Sequence, residues 1–202
     1  MDKKTIIVIG RQFGSGGKLI AEAIGKRLGI PVFDKELIAK AAEESGFRKD
    51  LFSKSDEKRR LFSFSSFLSS GRFGNARNYM GDSELFNMQS KVIRDIAEAG
   101  SAIFVGRCAD YILRDMDRLS VFVTAPIGER VKRVCERTGL DEEEAESLIR
   151  KKDRTRESYY NFFSFGDWGE ASNYDLCLDS SVLGIEGSAD MVINFGKEGG
   201  KI

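Results

Sequence analysis

The residues with the most chemistry in them lie in one turn, Gly10-Arg11-Gln12-Phe13-Gly14-Ser15-Gly16-Gly17-Lys18. Glycines let successive backbone N–H groups face inward, and a helix starting where the turn ends adds partial positive charge. Such a turn cradles phosphate. Gly14, Ser15, Gly16 and Gly17 would give the backbone donors, with Lys18 and Arg11 as the cations that neutralise phosphate oxygens. Arg107 directly follows the apolar run 102–105 and Gly106, at the edge of a sheet where α/β folds bind ligands. Arg154 and Arg156 fall in the charge-dense stretch 150–156, a run that by itself reads as a solvated helix face. The planar guanidinium grips phosphate bidentately, which suits phosphoryl transfer, where positioning and positive charge matter more than covalent help. Asp34 ends the short run Pro31-Val32-Phe33. It is the first candidate to hold Mg²⁺, directly or through water, and Asp110 the second. Asp34 also suits the cap of a helix beginning at Lys35.

The turn departs from the strict pattern G-x-x-x-x-G-K-[ST] at two places. Counted back from Gly17-Lys18, Gln12 stands at the first glycine and Leu19 at the Mg²⁺-binding hydroxyl. Two registers follow. One keeps Lys18 as the phosphate-binding lysine. The other aligns Gly14-Ser15-Gly16 and the Ile20-Ala21 helix start with a G-S-G-K-G-T-I-A loop, which puts Gly17 at the lysine position and leaves Lys18 one residue late. A rival reading is a dinucleotide fold: Gly10, Gly14 and Gly16 spell G-x-x-x-G-x-G, and Asp34 is placed to meet a ribose. It loses weight because none of the 5 tyrosines has lysine four residues on, as the proton-transferring pair of short-chain dehydrogenases requires. The blandest reading is a turn that only joins strand to helix.

Composition narrows the chemistry further. The 202 residues suit one domain, and the chain contains no histidine. Its 3 cysteines, Cys108, Cys135 and Cys177, form no CxxC pair. Zinc sites, Ser–His and Cys–His nucleophiles and histidine bases are thereby set aside. Lys plus Arg equals Asp plus Glu at 32 each, which argues against a nucleic-acid polymer as partner. The apolar run after Met1-Asp2-Lys3-Lys4 is too short for a signal peptide or a membrane span, so the expectation is a cytoplasmic, reduced protein without a membrane partner.

The elements that must position these residues can be read from periodicity. Residues 5–9 form a continuous β-branched run, the mark of a buried parallel strand. Leu19, Ile20, Ala23, Ile24 and Leu28 then recur at helical spacing up to Gly29. A short strand at 31–33 precedes a helix through Leu37, Ile38 and Ala41. Residues 47–81, rich in Ser, Phe, Arg and Gly, break the pattern, with a mobile segment expected near 71–81. A helix capped by Asp82 runs to Gly100. Strands at 102–105 and 119–123 alternate with helices through Tyr111 to Leu113 and through Val131 and Val134, the latter stopping at Gly139. Asp141 caps a helix carrying Ala145, Leu148 and Ile149. An aromatic loop at 162–174, a strand at 176–178 and a helix at 185–193 complete the chain. Strands alternating with helices predict an α/β three-layer sandwich on a mostly parallel five-stranded sheet.

Four segments, IGRQFGSGGKLIA (9–21), PVFDKELI (31–38), FVGRCADYIL (104–113) and KKDRTRESYYNF (151–162), resemble the cytidylate kinase-like family of P-loop kinases, as do Asp167-Trp168 and Tyr174-Asp175-Leu176. The similarity spans most of the chain and is weakest over 47–81. It implies a single P-loop kinase-like domain over 1–202 that moves a phosphoryl group from ATP, with Mg²⁺, to a nucleoside monophosphate such as CMP or dCMP. Residues 47–81 would be the acceptor-binding insertion and 150–174 the lid. Gly106-Arg107 matches the end of the family's D-G-R motif, whose arginine meets the acceptor phosphate, with Val105 in place of the aspartate. Asp153-Arg154 and Arg156 resemble the arginine-bearing lid. The partners implied are a nucleotide donor and a small-molecule acceptor. Because Leu19, Lys18 and Val105 depart from the pattern, a P-loop protein that binds or senses nucleotide with little or no kinase activity stands as the alternative.

Overall fold

The computed structural model describes residues 4–44 and 79–202. The expected insertion at 47–81 lies outside them except for its last three residues. The strands β1 (Ile6–Arg11), β2 (Val32–Phe33), β3 (Ala102–Val105), β4 (Leu119–Thr124) and β5 (Leu176–Asp179) form one sheet. Their order is β2-β3-β1-β4-β5, and every pairing is parallel. Both sheet faces are covered, which is why β1 reads as unbroken Ile-Ile-Val-Ile rather than as an alternation.

Successive side chains of a strand point to opposite faces, and β1 divides its residues accordingly. Ile7 and Ile9 pack with Ile20 and Ile24 of α1 (Gly17–Leu28) and with Val192 and Ile193 of α7 (Ser180–Glu198). Ile6 and Val8 face the other way, onto Ile38 of α2 (Lys35–Glu44), Val92 and Ile93 of α3 (Tyr79–Ala99), and Ala109 and Ile112 of α4 (Ala109–Ile112). Each fully buried isoleucine contributes about 1.5–3 kcal/mol relative to exposure. The centre of the sheet is therefore the rigid platform on which the loops at its carboxyl edge are mounted.

Helix boundaries follow the capping residues. Gly29 and Gly139 adopt left-handed conformations (φ 66° and 74°) that close α1 and α5 (Ile127–Thr138). Asp141 accepts from the Glu144 amide and starts α6 (Glu142–Ser164). Three expectations need correction. Helix α3 is already helical at Tyr79, so Asp82 lies inside it and is not its cap. Helix α6 runs on to Ser164, taking in the start of the expected aromatic loop, because Tyr160 and Phe163 bury on the same face as Ile149 and keep the helical phase. Helix α7 starts earlier than periodicity suggests, at Ser180, capped by Asp179 through the Ser181 amide, and bends at Gly184 (φ 65°).

Because the strands are parallel, the loops after β1, β3 and β4 and the residues closing β2 and β5 collect at one edge. The chain leaves β1 to one side for β2 and β3 and crosses to the other for β4 and β5. The crevice that such a reversal opens lies outside the end of β1.

Candidate functional site: a cationic cleft over the glycine loop

The loop after β1 is fixed from below. The Gln12 amide donates to the Val123 carbonyl (3.1 Å), and the Gln12 side-chain oxygen accepts from the Thr124 hydroxyl. Ser15 is fully buried; its hydroxyl donates to the Gln12 carbonyl (2.9 Å), and its own carbonyl accepts from the Ser180 hydroxyl (2.6 Å). Arg133 of α5 donates in turn to Ser180 Oγ (2.9 Å). Gly14 and Gly16 have φ of 82° and 81°, and a Cβ on Gly16 would overlap Ile185 Cδ1. Both positions need glycine. Gly16 is the N-cap of α1, so the loop delivers the helix N-terminus to the crevice as a site for an anion.

Helix α6 crosses above this loop and is tied to it. The Phe13 amide donates to Asp153 Oδ1 (2.7 Å), while Arg130 Nη1 donates to Asp153 Oδ2 (2.6 Å). Arg156 Nη1 donates to the Arg11 carbonyl (3.0 Å), and the guanidinium groups of Arg137 (5.1 Å) and Arg156 (5.4 Å) both lie over the Phe13 ring. On the far side of β1, Gly106, Arg107 and Cys108 are all left-handed (φ 75°, 59° and 53°), and Arg107 sits over the Tyr159 ring at 5.5 Å. Three consecutive left-handed residues turn the chain sharply upward from β3 and present Arg107 to the cleft.

The cleft so formed has a volume of about 1160 Å³, and among the described residues nine basic side chains line it against four acidic ones. In a chain of zero net charge, this imbalance marks an anion site. No described carboxylate forms an ion pair with Arg11, Arg107 or Arg156. Burial, then the charges of Arg156 and Arg107, hold the Arg11 guanidinium well below its usual pKa. Burial lowers Arg156 to about 10; Asp153 opposes the fall while Arg137 and Arg107 add to it. Guanidinium groups do not lose their protons under ordinary conditions. The crowding is thus a repulsion that a bound polyanion relieves.

The sequence candidates fare unequally. Arg11, Gly14, Gly16, Gly17, Lys18, Asp34, Arg107 and Arg156 line the cleft, with Ser15 buried beneath it. Lys18 is turned to the rim, where Nζ donates to Asp34 Oδ2 (2.7 Å) and lies 3.9 Å from Glu22. Hydrogen bonding to Asp34 raises its pKa. Arg154 is exposed and does not line the cleft. On a helix it stands about 200° from Arg156, so the face that carries Asp153 and Arg156 inward turns it out. Asp34 is committed elsewhere. Its Oδ1 accepts from the Glu36 and Leu37 amides (3.0 and 3.1 Å), which makes it the cap of α2, and its Oδ2 holds Lys18. Burial pushes its carboxyl up, but the bonds from Lys18 and Leu37 prevail and leave it lowered.

Three residues of weight escaped the sequence reading. Arg130, Arg133 and Arg137 recur at helical spacing along one face of α5, a periodicity that could have been found beside Val131 and Val134. The coupling of Asp110 to Tyr160, whose hydroxyl donates to Asp110 Oδ2 (2.7 Å) deep under the cleft, left no local signal.

A parallel sheet with a glycine loop at the switch strand and arginines converging on it defines a P-loop phosphoryl-transfer fold of the nucleotide kinase type. The chain belongs to the cytidylate kinase-like family, whose sequence profile matches residues 6–182. It is 28% identical over 186 residues to the cytidylate kinase of Methanopyrus kandleri, covering 87% of this chain and 84% of that protein. Among solved structures, an uncharacterized protein from Eubacterium ventriosum superimposes with a TM-score of 0.71 at 30% identity, covering 95% of this chain and 98% of that one. Shikimate kinase from Bacteroides thetaiotaomicron shares the fold at a TM-score of 0.55 and 12% identity, over 96% of this chain and 99% of that one. Family and fold together support a nucleotide kinase.

Proposed function

We propose that this protein transfers the γ-phosphoryl group of ATP to a nucleoside monophosphate, with CMP or dCMP first among the acceptors. The observation that carries this reading is the convergence of Arg11, Arg107 and Arg156, without described carboxylate partners, on a glycine loop at the switch strand. In this reading Gly14, Ser15, Gly16 and Gly17 hold the donor phosphates through backbone amides. Arg107 holds the acceptor phosphate from the opposite side of β1. Arg156, reaching down from α6, spreads positive charge over the group in flight. Residues 150–174 act as the lid and 47–81 as the acceptor-binding segment, and closure excludes water from the transfer. No described helix is long and apolar enough to cross a membrane, and we place the reaction in the cytoplasm.

The described residues do not fit a Mg²⁺ ion held by the protein itself. Both Asp34 oxygens are engaged, the hydroxyl position of the motif is the exposed Leu19, and no cluster of three potential ligands occurs among the described residues. A metal that enters with ATP would be held by the nucleotide's own phosphates. The same features favour a second reading, a nucleotide-binding module with catalysis weakened or lost.

ADP release from Mg²⁺-ATP with CMP, dCMP, UMP, AMP and GMP, against an acceptor-free control, separates the two. Release stimulated by CMP or dCMP well above the control supports the kinase reading and the acceptor together. Stimulation by another acceptor alone removes the cytidylate assignment. ATP binding without stimulation by any acceptor favours the binding module.

A further inference from the structure

The loop resembles one that carries a lysine at its helix start, yet Gly17 is the first helical residue and Lys18 points to the rim. The space a side chain at position 17 would enter is filled. A Cβ on Gly17 would lie 2.7 Å from Arg11 Cβ and 3.1 Å from Arg11 Cγ, with Val123 Cβ at 3.5 Å behind them. The stem of Arg11 therefore runs through the gap above the carboxyl ends of β1 and β4 that a lysine at 17 would occupy. Its head continues across β1 to β3, where a Cβ on Gly106 would overlap Arg11 Nη1 outright, with Arg11 Cζ at 2.8 Å. Two glycines, one on each side of β1, clear a channel for a single arginine.

We propose that Arg11 takes the place of the loop lysine, so that the cation binding the donor's terminal phosphates comes from the end of β1 and not from the start of α1. This deepens the kinase reading and rests on it for the identity of the donor. Three observations converge. The stem occupies the gap left by Gly17. The guanidinium lies at Gly106, between the loop that would hold the donor and Arg107, which would hold the acceptor. Among the described residues no carboxylate is paired with it, whereas Lys18 already has Asp34 and Glu22. An arginine at this place binds two phosphate oxygens through its fork where a lysine offers a point charge. The arrangement also accounts for a loop that keeps its left-handed glycines, Gly14 and Gly16, while a third glycine stands where the lysine belongs.

The test uses inorganic tripolyphosphate as a probe of phosphate binding and ADP release as a probe of catalysis. Arg11→Met keeps the stem that fills the gap and removes the charge. It is expected to weaken tripolyphosphate binding by about 10- to 100-fold and to lower kcat/KM at least as far. Lys18→Ala is expected to lose less on both counts. An exchange variant provides an independent measure. Gly17→Lys alone is expected to bind tripolyphosphate worse than wild type, because its stem collides with Arg11. Arg11→Gly combined with Gly17→Lys clears the collision and is expected to recover part of the affinity, with thermal melts confirming that each variant is folded. Tripolyphosphate binding unchanged in Arg11→Met, or absent in the wild type, overturns the assignment, as does a larger loss in Lys18→Ala than in Arg11→Met. If tripolyphosphate binds through Arg11 but no acceptor stimulates ADP release, the Arg11 assignment stands and the kinase reading falls.

Discussion

Two turns stand side by side at the carboxyl edge of the sheet, and they solve the same steric problem in opposite ways. The loop after β1 uses glycine wherever the backbone is left-handed, at Gly14 and Gly16. The turn after β3 begins with Gly106 but continues left-handed through Arg107 and Cys108, at about 1–2 kcal/mol for each residue that carries a Cβ. The Gly106 amide donates to the Ile9 carbonyl (3.0 Å), so the two turns share one platform. Their different chemistry follows from what each presents. In the proposed reading the first offers backbone amides at its left-handed positions. The second, in the same reading, offers a guanidinium, and so keeps strain that glycine would remove. Strain of this kind persists only where the surroundings hold it. Here Cys108 is buried against Tyr160 and Phe163, and Tyr160 is hydrogen-bonded to Asp110 on the next turn of chain.

The largest effect is expected at Arg107. Arg107→Ala should lower kcat/KM for the acceptor by about 10²–10³-fold, the usual loss when a charged donor to a reacting substrate is removed, while ATP affinity moves little. Arg107→Gly should lose activity equally yet gain about 0.5–1 kcal/mol in stability, the relief of a left-handed backbone less the added chain entropy of glycine. Steady-state kinetics and thermal melts on both variants test the pair. If Arg107→Gly melts below Arg107→Ala, the turn is not strained and the contrast with the glycine loop fails.

The loop after β1 should respond in the other direction. Gly16→Ala places a Cβ at φ 81° and into Ile185 Cδ1. The backbone alone costs about 1–2 kcal/mol, a fall in Tm of about 2–8 °C for a chain of this length. Nucleotide affinity should fall with it, because the amides at the start of α1 move. A variant that melts and binds as wild type would show that this loop does not need its handedness, and that the backbone amides are not the ligands.

The same contrast explains what could be read in advance. Residues 5–9, the glycine stops at Gly29 and Gly139 and the Asp141 cap are local signals; the stops and the cap stand as read, and the strand begins one residue later and runs on to Arg11. The glycine loop announced its handedness because only glycine tolerates it cheaply. The left-handed turn at Arg107 and Cys108 could not announce itself, since nothing in those residue types favours it and the groups that hold it lie some 50 residues away on α6. The path of Arg11 depends on Gly17 and on Gly106, which no periodicity links. Arg154 and Arg156 differ only in helical phase, and the phase was available in the spacing of Asp153, Arg156, Tyr160 and Phe163. The two registers of the loop stayed open in the sequence because Gly17-Lys18 satisfies one, while Gly14-Ser15-Gly16 and Ile20-Ala21 satisfy the other.

The smallest expected effect concerns the clamp under the strained turn. Burial pushes the Asp110 carboxyl above its usual value, against the opposing hydrogen bond from Tyr160. A carboxyl with a raised pKa holds its proton in the folded state at pH values where the unfolded chain has released it. Its contribution to stability is therefore complete below the unfolded value of about 3.9 and is lost as pH rises through the folded value. Asn at this position keeps an oxygen for the Tyr160 hydroxyl and has no proton to lose. The Tm of Asp110→Asn minus that of wild type should accordingly rise with pH from about 4 and level off once Asp110 is ionised in the wild type. Parallel Tm curves would mean that the carboxyl titrates alike in both states and that the clamp is not built on its burial. A fall in kcat at constant ΔTm would give Asp110, which lines the floor of the cleft, a part in the reaction beyond supporting the turn, and the division between a turn that presents a side chain and the residues that merely hold it would have to be redrawn.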